Sequence, residues 1–563
     1  MTERNSDATS ADAEPAAATP SDAEPTEQQT APASAADSAQ RAESVGRAEP
    51  AERAKTPGRS KRATLTSIVI TQLMLVLDMT IIAIALPNMQ SSLGMSDVQR
   101  PWVVTAYSLA YGGLVLFGGR LCSIVGIRRS YLFGLTAFAA ASFMAGVAPS
   151  FGVVVTARVL QGACAALLAP TILALISRTF TEVRERGRAF AVLGATGGVG
   201  AAVGLILGGS ITDALNWRWT LYINVFIAAV ALVVGRPGLP PHERERGGAR
   251  ITSDLAGLVL GCSGVFALVF GLDQAQRHTW SATSTVAWLC AGLALVVGFI
   301  LRERLARDPV LPLSIVTSPV RLSSYGTLFM AGAAQMGMIV YITYYFQNHF
   351  EYSPMRTGLA FMPMVAAIVV TAMAAGATIV PRFGARFIFP LGLAVEAAGL
   401  LVLSRVEVDS TYRQVALIGL VVFGIGMGLC MPVTYDAGTR GVPPKRAGLA
   451  SAMLNTSQQI GASFGVALLA TYATQQARAY AEDNAGRFRA IVTRALMDAQ
   501  AAPGSAEGER IIARYRATFA DEATIEAYSG GFTLMFTILS VAALALAVGA
   551  AWYSRRQASG LDH

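Results

Sequence analysis

Three ionisable side chains stand inside long apolar runs, where each is costly to place. Asp78 lies about 13 residues into the run that begins near residue 65. Arg158 and Glu396 occupy runs of their own. A charge near the middle of a bilayer costs at least ~2.5–3.5 kcal/mol, so such residues mark proton or ion paths, or fixed pairs. Asp78 can carry a proton between two aqueous faces, or it can serve as the fixed partner of a buried arginine. Arg158 is that arginine. Asp78 sits about 9 residues below the outer end of its run and Arg158 about 8 below its own. At ~1.5 Å per residue both lie ~12–14 Å deep, a match that permits pairing. Glu396 stands mid-run and has three open readings: a second proton site, a binding group for a bulky cation, or an interhelical packing group. Asp436 lies near the inner end of its run and reads as a solvated gate or cap residue.

The elements that must hold these residues are membrane spans. The chain has 563 residues, of which 53% are hydrophobic and 14% charged, and its mean hydropathy is +0.48. A soluble domain carries roughly 25% charged residues. About fourteen segments reach the length that crosses a core of ~30 Å. They run 65–87, 101–120, 130–149, 151–177, 188–212, 219–235, 253–273, 282–302, 322–346, 355–380, 386–404, 412–437, 447–474 and 529–553. Arginines gather in every second connection: Arg120, Arg128 and Arg129; Arg178, Arg184, Arg186 and Arg188; Arg236, Arg244, Arg246 and Arg250; Arg302, Arg304 and Arg307; Arg382 and Arg386; Arg440 and Arg446, with Lys445. Positive charge marks cytoplasmic connections. An even number of spans then puts both termini in the cytoplasm. The net charge of +8 sits in these short connections, so orientation explains it better than nucleic-acid binding.

Residues 1–62 are rich in Ala, Glu, Pro, Ser and Thr and nearly free of large apolar residues, which predicts a disordered cytoplasmic tail without a signal peptide. The connection at about 475–528 has mixed charge and periodic stretches at 485–500 and 511–519, which predict short helices outside the membrane. The five cysteines lack paired spacing and read as packing residues. No histidine lies deep in an apolar run, which argues against a metal centre or a histidine-based catalytic site. No phosphate-binding G-x-x-x-x-G-K-[ST] pattern appears. The expectation is that the chain is not an enzyme, has no catalytic residue, metal or cofactor, and uses a proton gradient as its energy source.

Other residues have types and spacings suited to transport. Gly200, Gly204 and Gly208 recur every fourth position and give one helix face a smooth stripe for close packing. Tyr107 and Tyr111 share a face of the second run. Gln335, Tyr341 and Tyr344 cluster in the ninth run, and Asn455 with Gln459 shares a face of the thirteenth. Such aromatic and amide groups suit a cavity for large amphiphilic, often cationic molecules, or else an interfacial aromatic belt. A short turn with glycine and arginine after the second run (Gly119, Arg120, Gly126, Arg128, Arg129) is echoed by Arg382, Gly384 and Arg386 after the tenth. Parallel six-helix halves would place the echo six spans later. It comes eight later, as two extra spans between the halves would give.

Four motifs carry a resemblance to the fourteen-helix drug–proton antiporter branch of the major facilitator superfamily, over about residues 65 to 555. They are Leu77-Asp78-Met79-Thr80 through Pro87; the glycine–arginine turn; Arg158-Val159-Leu160-Gln161-Gly162; and the stretch from Gly200 to Gly208-Gly209. The chain departs from the family pattern at Ala83 (usually Asn), at Ser123-Ile124 (usually Asp-Arg), at Ile127 (usually Arg) and at Leu205 (usually Pro). The resemblance implies an all-α integral membrane protein with the major facilitator fold: 63–235 as the first six-helix half, 236–312 as two inserted helices, 313–554 as the second half with the long outer loop, and 555–563 as a cytoplasmic tail. Taken with the residue readings above, the expected proton-coupling residues are Asp78, Arg158 and Glu396, the expected inside gate is the motif turn, and the expected cavity is reached by Tyr107, Tyr111, Gln161, Gln335, Tyr341, Tyr344, Asn455 and Gln459. Ser123 in place of Asp implies a weaker inner latch. The function expected is proton-driven export of drugs, antibiotics or other amphiphiles from the cell by a monomer in the plasma membrane. Export of a self-made metabolite such as an antibiotic or siderophore is the alternative, with uptake by symport or a polytopic membrane enzyme behind it.

Overall fold

A computed structural model describes residues 57–558, apart from 97–98, 101, 240–253, 307–308, 310, 313–315, 376–378, 380–384, 444–445, 500–501 and 503. The expectation of a disordered tail falls on residues outside this set, except that 57–62 form the first turns of a helix. Among the described residues sixteen α-helices run in the order α1 Pro57–Leu93, α2 Trp102–Val125, α3 Ile127–Gly146, α4 Phe151–Thr179, α5 Val183–Ala214, α6 Trp219–Gly235, α7 Leu255–Arg277, α8 Thr283–Leu305, α9 Pro319–Tyr344, α10 Pro354–Ala360, α11 Met362–Ala374, α12 Ala385–Leu403, α13 Leu417–Thr439, α14 Ala447–Asp483, α15 Ala485–Asp498 and α16 Ala506–Ala558. In lipid the backbone must satisfy its own hydrogen bonds, which is why apolar runs of this length become helices.

Every span expected from the sequence overlaps one of these helices. Among the described residues nine helical segments are individually long and apolar enough to cross a membrane, and Trp219–Gly235 and Phe387–Leu403 are shorter apolar helices. Local chemistry sets several boundaries. The Asp254 carboxylate accepts from the Gly257 N–H at the start of α7, and the Ser353 hydroxyl accepts from the Arg356 N–H at the start of α10. Gly126 joins α2 to α3 at φ 93°, a left-handed conformation that glycine adopts without strain.

Helix pairing repeats. α1 packs on α5 and α6, α2 on α4, and α3 on α4 and α6; in the same way α9 packs on α14 and α16, α11 on α13, and α12 on α13 and α16. The two sets meet along two seams, α2 against α14 and α5 against α11. α7 lies on both α2 and α14 and pairs with α8, so α7 covers one seam.

The connection expected as a loop at about 475–528 is mostly helix. α14 continues to Asp483, α15 follows after one residue, and α16 runs 53 residues without a break into the last apolar stretch. The stretch expected as a separate helix at 511–519 is therefore the first part of α16. Packing explains the order. The Phe519 ring lies 5.6 Å from Tyr480 and 5.1 Å from Phe488, and the Tyr480 hydroxyl donates to Glu522 at 3.0 Å. The polar composition hid this extension, because a pair of polar helices needs only a narrow apolar stripe to pack.

Candidate functional site

Five helices, α1, α2, α3, α4 and α6, contribute to the cluster around Asp78. Asp78 lies on α1 and is 1% exposed; Arg158 and Gln161 on α4 and Asn224 on α6 are each 0% exposed. Arg158 and Gln161 are three apart, so they share one helix face. Arg158 Nη1 donates to Asp78 Oδ2 at 2.6 Å and to Gln161 Oε1 at 2.9 Å. Its Nε donates to the Val103 carbonyl of α2 at 3.0 Å. Gln161 Nε2 donates to Asp78 Oδ1 at 3.0 Å and to Ser142 Oγ of α3 at 2.7 Å. Asn224 Nδ2 donates to the same Asp78 oxygen at 2.7 Å. The guanidinium also lies over the Tyr107 ring, 4.5 Å from its centroid, a favourable contact for a desolvated cation.

Small residues make this cluster reachable. A Cβ on Gly162 would run into the Tyr107 carbonyl, and one on Gly118 into the Ala166 carbonyl, so α2 and α4 touch backbone to backbone. On the other flank of α1 a Cβ on Gly200 would stand 3.0 Å from Val76, and one on Gly204 would run into the Thr80 hydroxyl. Gly208 is buried on the same helix; the surroundings of Leu205 and Gly209 lie outside the described residues.

Two residues expected in the cavity belong to this cluster instead. Gln161 is a ligand of Asp78, and Tyr107, 2% exposed, is the platform under Arg158. Asn224 and Ser142 were not singled out from the sequence. The signal for Asn224 was available: it is an amide in the middle of the apolar helix α6.

Other expected cavity residues sort by position. The Tyr111 hydroxyl on α2 donates to Asn455 Oδ1 on α14 at 3.5 Å, across the covered seam. Gln459 approaches Gly112 on the same seam. Beside them Tyr435 on α13 donates to Gln458 Oε1 at 2.7 Å and stacks on Phe190 of α5, with ring centroids 6.1 Å apart. Phe190, Tyr435 and Gln458 were not read from the sequence, because their partners are far along the chain. Gln335 is half-buried. Tyr341 is buried against Tyr528 of α16 with its ring edge-on at 5.0 Å, and Tyr344 is 50% exposed. Tyr344 is thus a surface residue, where an interfacial tyrosine is at home.

Glu396 on α12 is 0% exposed and is not near the Asp78 cluster; neither carboxyl oxygen has a hydrogen-bond partner. It packs at the α12–α13 contact, where Gly426 faces its backbone and its Cγ.

The two sets of helices also touch near the glycine–arginine turn. A Cβ on Gly119 of α2 would stand 2.5 Å from Ala452 and 2.7 Å from the Gly448 carbonyl of α14. Ser177 of α4 donates to Thr439 of α13 at 3.4 Å. Asp436 of α13, expected as solvated, is 6% exposed and forms ion pairs with Arg186 of α5 and with Arg440, the residue directly after α13. Ser123 donates to the Gly119 carbonyl of its own helix at 3.0 Å. Arg129 is exposed, and Arg120 and Arg128 are half-buried. Arg382 and Gly384 of the echoing turn lie outside the described residues. No group of three His, Cys, Asp or Glu residues that could hold a metal ion occurs among the described residues.

Comparison with known proteins gives the same fold. Residues 68–466 match the family model of the Major Facilitator Superfamily. The chain is 42% identical over 422 residues to the puromycin resistance protein of Streptomyces alboniger, covering 75% of this chain and 83% of that one. It is 34% identical to the cephamycin export protein of Amycolatopsis lactamdurans, over 73% of this chain and 86% of that one. It is 30% identical over 500 residues to the tetracenomycin C resistance and export protein of Streptomyces glaucescens, covering 88% and 91%. The solved structure of a human organic anion transporter superposes with a TM-score of 0.55 at 15% identity, covering 85% of this chain and 99% of that one. A proton:xylose symporter superposes with a TM-score of 0.52 at 12% identity, covering 86% and 96%. The helix pairing in two matching sets, the buried ion pair and the family match lead to one identification: the chain is a multi-pass membrane protein of the major facilitator superfamily.

Proposed function

We propose that this chain is a proton-driven exporter of antibiotics or similar amphiphilic small molecules, working by alternating access. The observation that carries the proposal is the buried Asp78–Arg158 pair with its added donors. A charge pair in this position is expensive to keep unless it is used. Asp78 is the proton carrier. With the pair closed it has no proton; when the halves rock and the pair loosens, it takes one from the outer face and gives it up inside. Arg158 keeps the Val103 carbonyl, Gln161 Oε1 and the Tyr107 ring as partners through that exchange. The inner contacts, with Arg186–Asp436 at their edge, form the inner gate, and they take the place of the acid that Ser123 does not supply. Tyr111, Asn455, Gln458, Gln459, Tyr435 and Phe190 line the cargo path where the halves meet. One proton entering down 100 mV supplies ~2.3 kcal/mol, which sustains a gradient of ~fifty-fold for a neutral cargo.

The cargo class rests on the relatives, which are named for resistance to, or export of, puromycin, cephamycin and tetracenomycin C. The same names support a second reading, export of a metabolite that the cell itself makes. The chain sits in the plasma membrane with both termini in the cytoplasm, acts as a monomer, and moves its cargo without altering it. Expression in a pump-deficient bacterium tests this: resistance to amphiphilic antibiotics should rise and should vanish with a protonophore. Asp78→Asn should reach the membrane yet lose cargo-induced proton release. Full resistance and proton release in that variant would overturn the proposal.

A further inference from the structure

The Asp78 cluster contains an imbalance. Asn224 gives its Nδ2 to Asp78 Oδ1 at 2.7 Å, while its own Oδ1 is buried with no partner. A buried acceptor without a donor costs roughly 1–3 kcal/mol, so it demands an explanation. Asp78 Oδ1 also accepts from Gln161, and Oδ2 accepts from Arg158. Among the described residues three donors and no acceptor face this carboxyl. The arrangement suits the ionised acid and offers nothing to a bound proton, which would itself need an acceptor.

We infer that Asn224 is the positioning residue that reads the protonation state of Asp78, by turning its side-chain amide end for end. In the ionised state Nδ2 donates to Oδ1 of the carboxylate. When a proton arrives on Oδ1, the amide turns and its oxygen accepts that O–H. Gln161 still donates to the second lone pair of Oδ1, and Arg158 still donates to Oδ2. The exchange leaves the number of hydrogen bonds at Asp78 unchanged in both states. It moves the unsatisfied group of this amide from its Oδ1 to its Nδ2. Only an amide has a donor and an acceptor of nearly equal size on one planar group. A serine or a lysine at this position would lack one of the two settings or the reach. Because α6 packs on both α1 and α3, the turn also carries the protonation state to a helix that has no ionised group in the cluster.

This inference rests on Asp78 as the proton carrier, and infrared difference spectroscopy separates the two claims. Full-length protein in lipid vesicles would be compared at acid and alkaline pH. Acidification should bring up a carboxylic-acid carbonyl band that Asp78→Asn lacks. Isotope-labelled asparagine should show a side-chain amide carbonyl band that moves with the same pH midpoint. In Asn224→Leu, which keeps similar bulk, the acid band should move to higher frequency, as a carboxyl that has lost its acceptor does, and proton-coupled efflux should slow by about tenfold, the loss of one hydrogen bond. If Asp78→Asn leaves the acid band in place, the carrier reading falls and this one with it. If the band belongs to Asp78 but the labelled amide band stays fixed in the unmutated protein, the carrier stands and the Asn224 switch is overturned. That last measurement needs no variant to fold.

Discussion

Asp78 and Glu396 are both fully buried acids, one in each half, and they are solved in opposite ways. Asp78 has a cation at 2.6 Å, two amide donors, and a site assembled from five helices. Glu396 has no partner on either oxygen and is wedged between two helices that touch through glycine. Burying an ion without a partner is far more costly than burying a neutral polar group. The first site is therefore built to hold a charge and the second is not. A carboxyl inside a membrane protein thus marks a proton site only when the surroundings can accept both of its states.

The largest expected effect comes from removing the cation at the first site. Arg158→Leu leaves Asp78 buried without its counter-charge, which costs about 3–5 kcal/mol. The variant should melt far below the unmutated protein in detergent, and its folded yield should drop. Adding Asp78→Asn should recover most of the lost stability, while proton-coupled transport stays absent in both. Unchanged melting of Arg158→Leu would show that the pair is not what holds this region and would remove the contrast with Glu396.

The middle effect tests how each site is packed. A Cβ on Gly204 meets the side chain of Thr80, whereas one on Gly426 meets the backbone of Glu396. Overpacking of this kind costs about 1–3 kcal/mol. Gly204→Ala should be partly rescued by Thr80→Ala, since a side chain can be trimmed. Gly426→Ala should not be rescued by Glu396→Ala, since the backbone stays where it is. Equal rescue at both sites, read by thermal melting, would mean that α12 and α13 have room to part and that Glu396 is less tightly held than its burial implies.

The sequence made the first site half legible and the second barely so. Hydropathy located the helices, and the equal depth of Asp78 and Arg158 allowed them to meet. The rest of the cluster followed from faces, not depths. Gln161 lies three residues after Arg158, on the same side of α4, so it goes to the ion pair and not to a cargo cavity. Asn224 passed unread although it is an amide in an apolar helix, and nothing in a linear chain says which helix α6 will touch. Arg186 and Asp436 are 250 residues apart, and only the docking of the two halves makes them partners. Across 475–528 the sequence predicted short separate helices, and their continuity with the flanking spans was missed for a different reason. Hydropathy falls at the membrane surface, while the helix does not stop there, because alanine-rich sequence continues it and Phe519 anchors it.

The smallest expected effect bears most directly on the comparison. Glu396→Gln keeps size and shape and removes only the ability to ionise. With no cation, amide or hydroxyl bonded to either oxygen, the site loses nothing that depends on charge, and the cost should stay under about 1.5 kcal/mol, as for other swaps that conserve volume. Resistance and cargo-induced proton release should stay close to those of the unmutated protein, in contrast to Asp78→Asn. The measurement is proton release on cargo addition to vesicles, side by side for the two variants. If Glu396→Gln loses proton release as Asp78→Asn does, then Glu396 exchanges protons despite lacking partners, the second half carries a coupling site of its own, and burial with satisfied donors is not the criterion that separates the two acids.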